Sequence, residues 1–455
     1  MGSIQSALHN AASSLDAFSQ VMDVTENNVT NASTPGYAAQ SQSLEPISFD
    51  VSGGSMGGVR AGQVVSSRDQ YAEQSVRSAQ TALGQFTQDV ASLTNVQSVF
   101  DISGSSGLAG DLNTLFSNFS AWAQTPTSAT AAQAVVTSAG DVAQDFQQAY
   151  SALTSVQSNT GTQLQTTVGD INQLTAQLAN LNAQAARASG PDAGIDAQIN
   201  STLEQLSQYA GITAVPQADG SYNVLLDGQI PLVLNGTQHQ LSCTVDPTTT
   251  PAATILSGGS SVNAQVDGGQ LGSLLNTYNT VLPSYLGSAS EQGQLNNMAQ
   301  QLAGAVNGIL NSGTPGLALF DYDATSPNTI AQTLSIDPGA TTTALTAMPV
   351  STPASLDGLE TAAQNGLGGS TFSEYYGQMA STVGSALSAA TSQQTTGQAT
   401  LAQAQNLRQQ SAGVSLDQEA MTLIEFQRAY EACSKMVTTL DQITEDTINM
   451  VQTFT

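Results

Sequence analysis

Apolar or small residues recur near the start of the chain at Ile4, Leu8, Ala11, Leu15, Phe18, Met22 and Val29, in steps of four and three that only Thr25 interrupts. That spacing keeps one stripe on one side of a helix and predicts a coiled-coil seam. The helix is expected to stop where Asn27, Asn28, Asn31, Ser33 and Thr34 lead into Pro35-Gly36. Asn and Ser compete for backbone hydrogen bonds, and Pro35 disfavours helical geometry at the residue before it. A loop is predicted beyond it, through the glycine-rich stretch 53–62.

Helical periodicity returns over 69–100 (Tyr71, Val76, Leu83, Phe86, Val90, Leu93, Val96), and Ala/Gln-rich helices are predicted over 109–123, 127–188 and 192–210. Their apolar faces are mostly Ala and Leu, which suits side-by-side packing in a bundle. At Gly211 the period changes to short runs, 212–215, 222–226, 232–234 and 241–245, separated by Asp219-Gly220, Asp227-Gly228 and Asn235-Gly236. Such dipeptides are hairpin turns, so a small antiparallel β module is expected, ending near Gly268-Gly269. Helix resumes over 270–312, a loop-rich region with one short strand around 334–336 is expected over 313–369, and two helices close the chain at 372–411 and 415–452. Ser415 and Gln418 have the spacing of a capping box for the last of these. Its Leu423, Phe426, Tyr430, Cys433, Val437 and Leu440 form a second seam.

The expected fold is therefore mainly α with an inserted small antiparallel β domain, the terminal helices pairing as an antiparallel coiled coil followed by a long-helix bundle. Three parts are anticipated: 1–35 with 415–455 as the coiled coil, 36–210 with 269–414 as the helical bundle, and 211–268 as the β domain.

Composition narrows the function. Seven Lys and Arg face 34 Asp and Glu, a net charge of −27. A protein that neutralises phosphate needs clustered cations, so nucleic acid and anionic membrane are excluded as partners. Charged residues make up only 9 % of the chain, far below the roughly one quarter of ordinary soluble domains, with small polar residues in their place as in exported filament proteins. No apolar run of about eighteen residues occurs, so no membrane insertion is expected, and residues 1–10 lack the basic-then-apolar pattern of a cleaved secretory signal. Cys243 and Cys433 are too few and too far apart for a disulfide framework and read as free thiols.

Two stretches at opposite ends carry a resemblance. Asn27-Asn28-Val29-Thr30-Asn31-Ala32-Ser33-Thr34-Pro35-Gly36-Tyr37, and Gly413 to Glu419 continuing through Leu423 to Tyr430, resemble the shared termini of the rod, hook and hook-associated axial proteins of the bacterial flagellum. Blocks at 116–126 with Trp122, 171–185, 209–234 and 268–286 are closer to the hook-associated branch than to rod or hook proteins. The resemblance implies a structural subunit of the hook–filament junction, secreted through the flagellar type III apparatus, with the hook protein, a second junction protein (hook-associated protein 3), a ring of its own copies and an export chaperone on the C-terminal helix as partners. It also implies an assembly interface built from Ile4, Leu8, Leu15, Phe18, Met22, Asn28, Asn31, Pro35, Gly36, Tyr37, Leu423, Phe426, Tyr430, Val437 and Leu440.

Catalytic chemistry has no foothold. His9 and His239 lack companions at metal-ligand spacing, Asp321-Tyr322-Asp323 lacks the glycine and closing Glu of a calcium loop, and no nucleotide-binding, zincin or nucleophile-elbow motif occurs. No cofactor, metal or catalytic residue is expected. The alternatives are a flagellin-like or other axial filament protein and a secreted cell-wall hydrolase. Because no cation falls between 188 and 407, that region is expected to face solvent. The remaining Arg and Lys are expected to pair with Asp16, Asp23, Glu26, Asp417 or Glu431 of neighbouring subunits.

Overall fold

The computed structural model describes residues 2–50, 55–100, 106–188, 190, 192–312 and 316–453. The chain opens with α1 (Gly2–Asn31) and turns back through β1 (Gln40–Pro46), β2 (Phe49–Asp50), β3 (Ser55–Met56) and β4 (Val59–Ser66). This corrects the expected loop: β1 pairs antiparallel with β4 from Gln40 opposite Ser66 to Pro46 opposite Val59, with a bulge between Gln42 and Leu44. Gln and Ser on both faces of β1 leave no apolar alternation to read, and the pairing rests on backbone bonds. Residues 51–54 of the anticipated loop lie outside the described residues.

Four helices follow: α2 (Gln70–Gln97), α3 (Gly107–Gln124), α4 (Ala129–Ala185) and α5 (Ala193–Tyr209). Asp69, Ser128 and Asp192 cap α2, α4 and α5 by accepting from backbone amides of the first turn. At 57 residues, α4 is about 85 Å long and serves two cores in succession.

The first core takes Val135, Val142, Phe146 and Leu153 of α4 with Leu112, Phe116, Phe119 and Trp122 of α3. Against these pack α7 (Leu282–Leu286), α8 (Gln294–Asn311), a two-strand ribbon of β12 (Phe320–Asp321) and β13 (Ser335–Ile336), the short helices α9 (Ile330–Thr333), α10 (Thr342–Thr346) and α11 (Thr352–Asp357), and the start of α12 (Phe372–Ala412). The single helix expected over 270–312 is broken. Gly287 adopts φ +102 and bridges to Gln292, so the chain reverses between α7 and α8. The region 316–369 is richer in short helices than the sequence indicates, each only a turn or so long and too short to show a period. The paired side-chain bonds of a capping box form at Thr371 and Glu374 of α12 rather than at Ser415 and Gln418.

The second core takes Leu164, Ile171 and Leu178 of α4 with Ile199 and Leu203 of α5, Leu271 and Leu274 of α6 (Gly269–Asn276), and apolar residues from five of the seven strands that follow. β5 (Ile212–Pro216), β6 (Tyr222–Leu226), β7 (Ile230–Leu234) and β8 (Thr237–Gln238) form one antiparallel sheet. β9 (Leu241–Val245), β10 (Ala253–Ser257) and β11 (Ser260–Ser261) form another. The turn signals act as read: Asn235 and Gly236 both adopt positive φ between the paired residues Leu234 and Thr237. The strands' apolar faces lie on α4, α5 and α6. Asparagines of α4 meet the strands edge-on: Asn182 donates to the Tyr222 carbonyl at 2.7 Å and accepts from its amide at 2.9 Å, and Asn172 treats Leu241 the same way at 2.8 and 2.9 Å. The chain closes with α13 (Leu416–Thr453).

On α4, Asp145 is pushed up to about 6, first by burial and then by Asp111 and Asp141. Its folded value lies above its unfolded one, so its contribution favours the fold below about pH 4 and is lost as pH rises through 6. Asp145→Asn is expected to flatten that loss. The urea midpoint of the parent should fall between pH 4.5 and 7.5 by more than that of the variant.

Candidate assembly site where the chain ends meet

α1 and α13 run antiparallel and in contact, with the Phe18 and Phe426 rings 5.9 Å apart. Their facing stripes are the two periodic seams, yet Leu8, Leu15, Phe18, Met22, Leu423, Phe426, Val437 and Leu440 are only half-buried. Two helices can cover one stripe of each other and no more. α1 gains a second neighbour in the β1–β4 hairpin and buries Ala11, Ala17, Val21, Thr25 and Asn28. α13 gains none: none of its described residues is buried, and Leu416, Met421, Ile424, Tyr430, Met436, Ile443 and Met450 are exposed.

The pair is pinned to the rest of the chain at one residue. Asn28, 1 % exposed, donates through Nδ2 to the Gln40 carbonyl at 2.8 Å and to Glu419 Oε1 at 2.9 Å. Its Oδ1 accepts from the Tyr37 hydroxyl at 2.8 Å and the Gln40 amide at 2.9 Å. All four capacities of the amide are used, and the bonds reach the Pro-Gly-Tyr loop, the hairpin and the first turn of α13. Burial raises the Glu419 carboxyl, partly offset by the Asn28 bond, and raises the Tyr37 hydroxyl, with Glu419 adding to it. The Ala39 amide donates to the Ala412 carbonyl at 2.9 Å, a second tie between the ends.

Below the loop lies an ion cluster built on the buried Arg68 and Glu73 side chains. Gly36, at φ +76, passes so close to α5 that a Cβ there would strike the Ala197 carbonyl and stand 3.0 Å from the Ser201 amide. Its own carbonyl accepts from Arg68 Nη2 at 2.6 Å. The Arg68 side chain, 4 % exposed, also engages Glu73 and Asp196, and Arg408 of α12 reaches Glu204 at 2.7 Å and Glu73 at 3.4 Å. Burial alone would lower the Arg408 pKa, but Glu204 and Glu73 outweigh it and raise it. The cluster thus ties α2, α5 and α12 to the Pro-Gly loop, and breaking one partner would strand buried charge.

Of the interface residues expected from the sequence, Asn28, Pro35, Gly36 and Tyr37 come together with the start of α13 at this hub. Asn31 caps the turn through Thr34 at 3.1 Å, and Ile4 sits half-buried on the seam. Tyr430, one turn beyond Phe426 on the same stripe, keeps 39 % exposure. Arg60, Arg68 and Arg408 are corrected as partners for neighbouring subunits: each is already paired within its own chain, Arg60 with Glu45. Sequence reasoning missed Glu419, Glu73 and Glu204, and with them the partners of Arg408 inside its own chain. Glu419 stands inside the C-terminal motif, but only the fold brings it to Asn28. The two cysteines are free, Asp323 accepts from Thr325, and no described residues group as a metal site. No helix among the described residues is long and apolar enough to cross a membrane.

Residues 93–320 match the family described as flagellar hook-associated protein FlgK helical domain, and residues 408–450 match flagellar basal body rod FlgEFG protein C-terminal. The flagellar hook-associated protein 1 of Bacillus subtilis is 27 % identical over 97 % of this chain and 97 % of its own. That of Salmonella typhimurium is 25 % identical over 55 % of this chain and 47 % of its own. A solved structure, the flagellar hook junction protein FlgK from Burkholderia pseudomallei, aligns over 55 % of this chain and 47 % of its own at 26 % identity and a TM-score of 0.49.

Asn28→Asp tests the hub. The carboxylate keeps both acceptor roles but loses both donors and faces the Gln40 carbonyl and Glu419, at a cost of about 2–4 kcal/mol. At pH 7 it is expected to destabilise more than Asn28→Ala. The gap should narrow at acidic pH, where a protonated carboxyl regains one donor; thermal unfolding of both variants at pH 4.5 and 7.5 measures it.

Proposed function

The chain belongs to the flagellar hook-associated protein FlgK family, whose members are structural components of the flagellum, and we propose that it forms the junction between hook and filament. In this reading it assembles into a ring through its N- and C-terminal helices. One observation carries the reading: the two terminal motifs shared with axial proteins meet at the buried Asn28 hub, while the helices that leave the hub keep much of their apolar surface uncovered. A hydrolase would need convergent acids in a cleft. Here Glu73 and Glu204 are consumed in ion pairs with Arg68 and Arg408.

The division of labour follows. Residues 1–35 with 415–455 form the assembly unit, 36–210 with 269–414 the supporting body, and 211–268 the outward part. Ile4, Leu8, Leu15, Phe18, Met22, Leu423, Phe426, Val437 and Leu440 hold the pair together and form the floor of the interface; Tyr430 projects from it toward the neighbour. Asn28, Asn31, Pro35, Gly36 and Tyr37 fix the angle at which the pair leaves the body. The partners in this reading are the hook protein, a second junction protein, further copies of this chain, and a chaperone that covers the α13 face before export through the flagellar apparatus to the cell exterior.

Tyr430→Asp separates assembly from folding. Because Tyr430 is exposed in the subunit, the charge should leave the helical signal and unfolding temperature of the free protein unchanged within error. A charge buried between subunits costs several kcal/mol unless paired. Incorporation at the hook tip, scored by filament attachment and motility, is expected to be lost. Wild-type motility would contradict the assignment.

A further inference from the structure

Most of the scarce positive charge is already committed. Arg60, Arg68 and Arg408 are paired internally and Arg77 is buried. The terminal pair carries just two cations, Arg428 and Lys435 of α13, both exposed and in no ion pair among the described residues. They are seven residues apart, so they lie on one line along the helix, about 10.5 Å from each other. α1 has no Lys or Arg, and its exposed Asp16 and Asp23 are also seven residues apart and in no ion pair among the described residues, with Asp16 accepting from Gln20 at 2.9 Å. The two spacings match.

Within one subunit these lines do not meet. The Asn28–Glu419 bond and the Phe18–Phe426 contact set the antiparallel register. Arg428 then stands level with about residue 18 of α1 and Lys435 with about residue 11. Wheel positions at 100° per residue put both cations on the side of α13 opposite its seam. A second copy pointing the same way presents its α1 antiparallel to this α13. If level, it would bring Arg428 near Asp16 and leave Lys435 with no acid. Displaced along the axis by five residues, about 7.5 Å, it sets Arg428 against Asp23 and Lys435 against Asp16 together.

We propose that the outer line of α13 docks on the acidic flank of α1 in a second copy of this chain, staggered by about five residues, with Arg428 on Asp23 and Lys435 on Asp16. This rests on the assembly reading and specifies its register. Between chains of net charge −27 the two cations supply orientation and exclude the level register more than they supply affinity. Glu425 and Glu431 flank the line about 60° to either side and disfavour a copy that slides off it; Glu26 bounds the acidic flank in the same way.

The test is charge exchange in flagellated cells, with secreted protein checked for native helical content. Arg428→Glu with Lys435→Glu should abolish filament attachment, and so should Asp16→Lys with Asp23→Lys. Combining all four should restore attachment to at least half the parental frequency. Attachment retained by either double variant, or not restored by the quadruple variant although it is folded and secreted, overturns the proposal. In both events Tyr430→Asp still reports on assembly through these helices. Disulfide trapping in isolated hooks, with Cys243 and Cys433 replaced by Ala, reads the stagger. Asp16→Cys with Lys435→Cys should link copies, and Asp16→Cys with Arg428→Cys should not; the reverse result overturns the staggered register.

Discussion

The structure depends on one repeated arrangement: an asparagine side chain that engages both the N–H and the C=O of a single backbone residue. Asn28 does so with Gln40, Asn172 with Leu241, Asn182 with Tyr222 and Asn279 with Ala253. Wherever a helix flank meets a strand, the strand's outward backbone groups leave water and need partners. An amide, with a donor and an acceptor side by side, replaces a missing strand at that point. In a chain with few charges this neutral device sets angles and registers that apolar contact alone would leave free.

At Asn28 the device has its widest reach, because the second amide proton goes to Glu419 and a further bond comes from Tyr37. One buried side chain therefore decides where the N-terminal helix ends, where the hairpin starts and where the C-terminal helix begins. The Arg68–Glu73–Arg408–Glu204 cluster beneath it makes the loop's seat rigid. Above it the opposite rule holds. α1 and α13 are left with half-covered stripes, and their uncovered surface becomes useful only in a larger assembly.

Much of this was legible in the sequence where one period runs long enough. The terminal seams, α2 to α5 and the turn-punctuated strands of 212–245 each impose a pattern of 3.6 or 2. The β1–β4 hairpin was not legible, because Gln40 to Ser43 are polar on both faces. The expectation of one helix over 270–312 passed over the reversal at Gly287, although Leu295 and Met298 would lie about 140–160° around a continuous helix from Leu282, so the apolar phase breaks there. The ion cluster could not be read either. Arg68, Glu73, Asp196, Glu204 and Arg408 are scattered over some 340 positions of sequence, and charge alone gives no hint of partners at that distance.

The central claim is that the hub holds both chain ends in the free subunit, before any partner is present. Residue-resolved amide hydrogen exchange on the free protein tests it most directly. The Gln40 amide, held by Asn28, and the Ala39 amide, held by Ala412, should exchange nearly as slowly as the Tyr222 amide in the second core. Amides of α13 beyond Leu440 should exchange much faster. Exchange of Gln40 and Ala39 at the rate of an unstructured peptide would contradict the claim, and would mean that the ends are joined only on assembly.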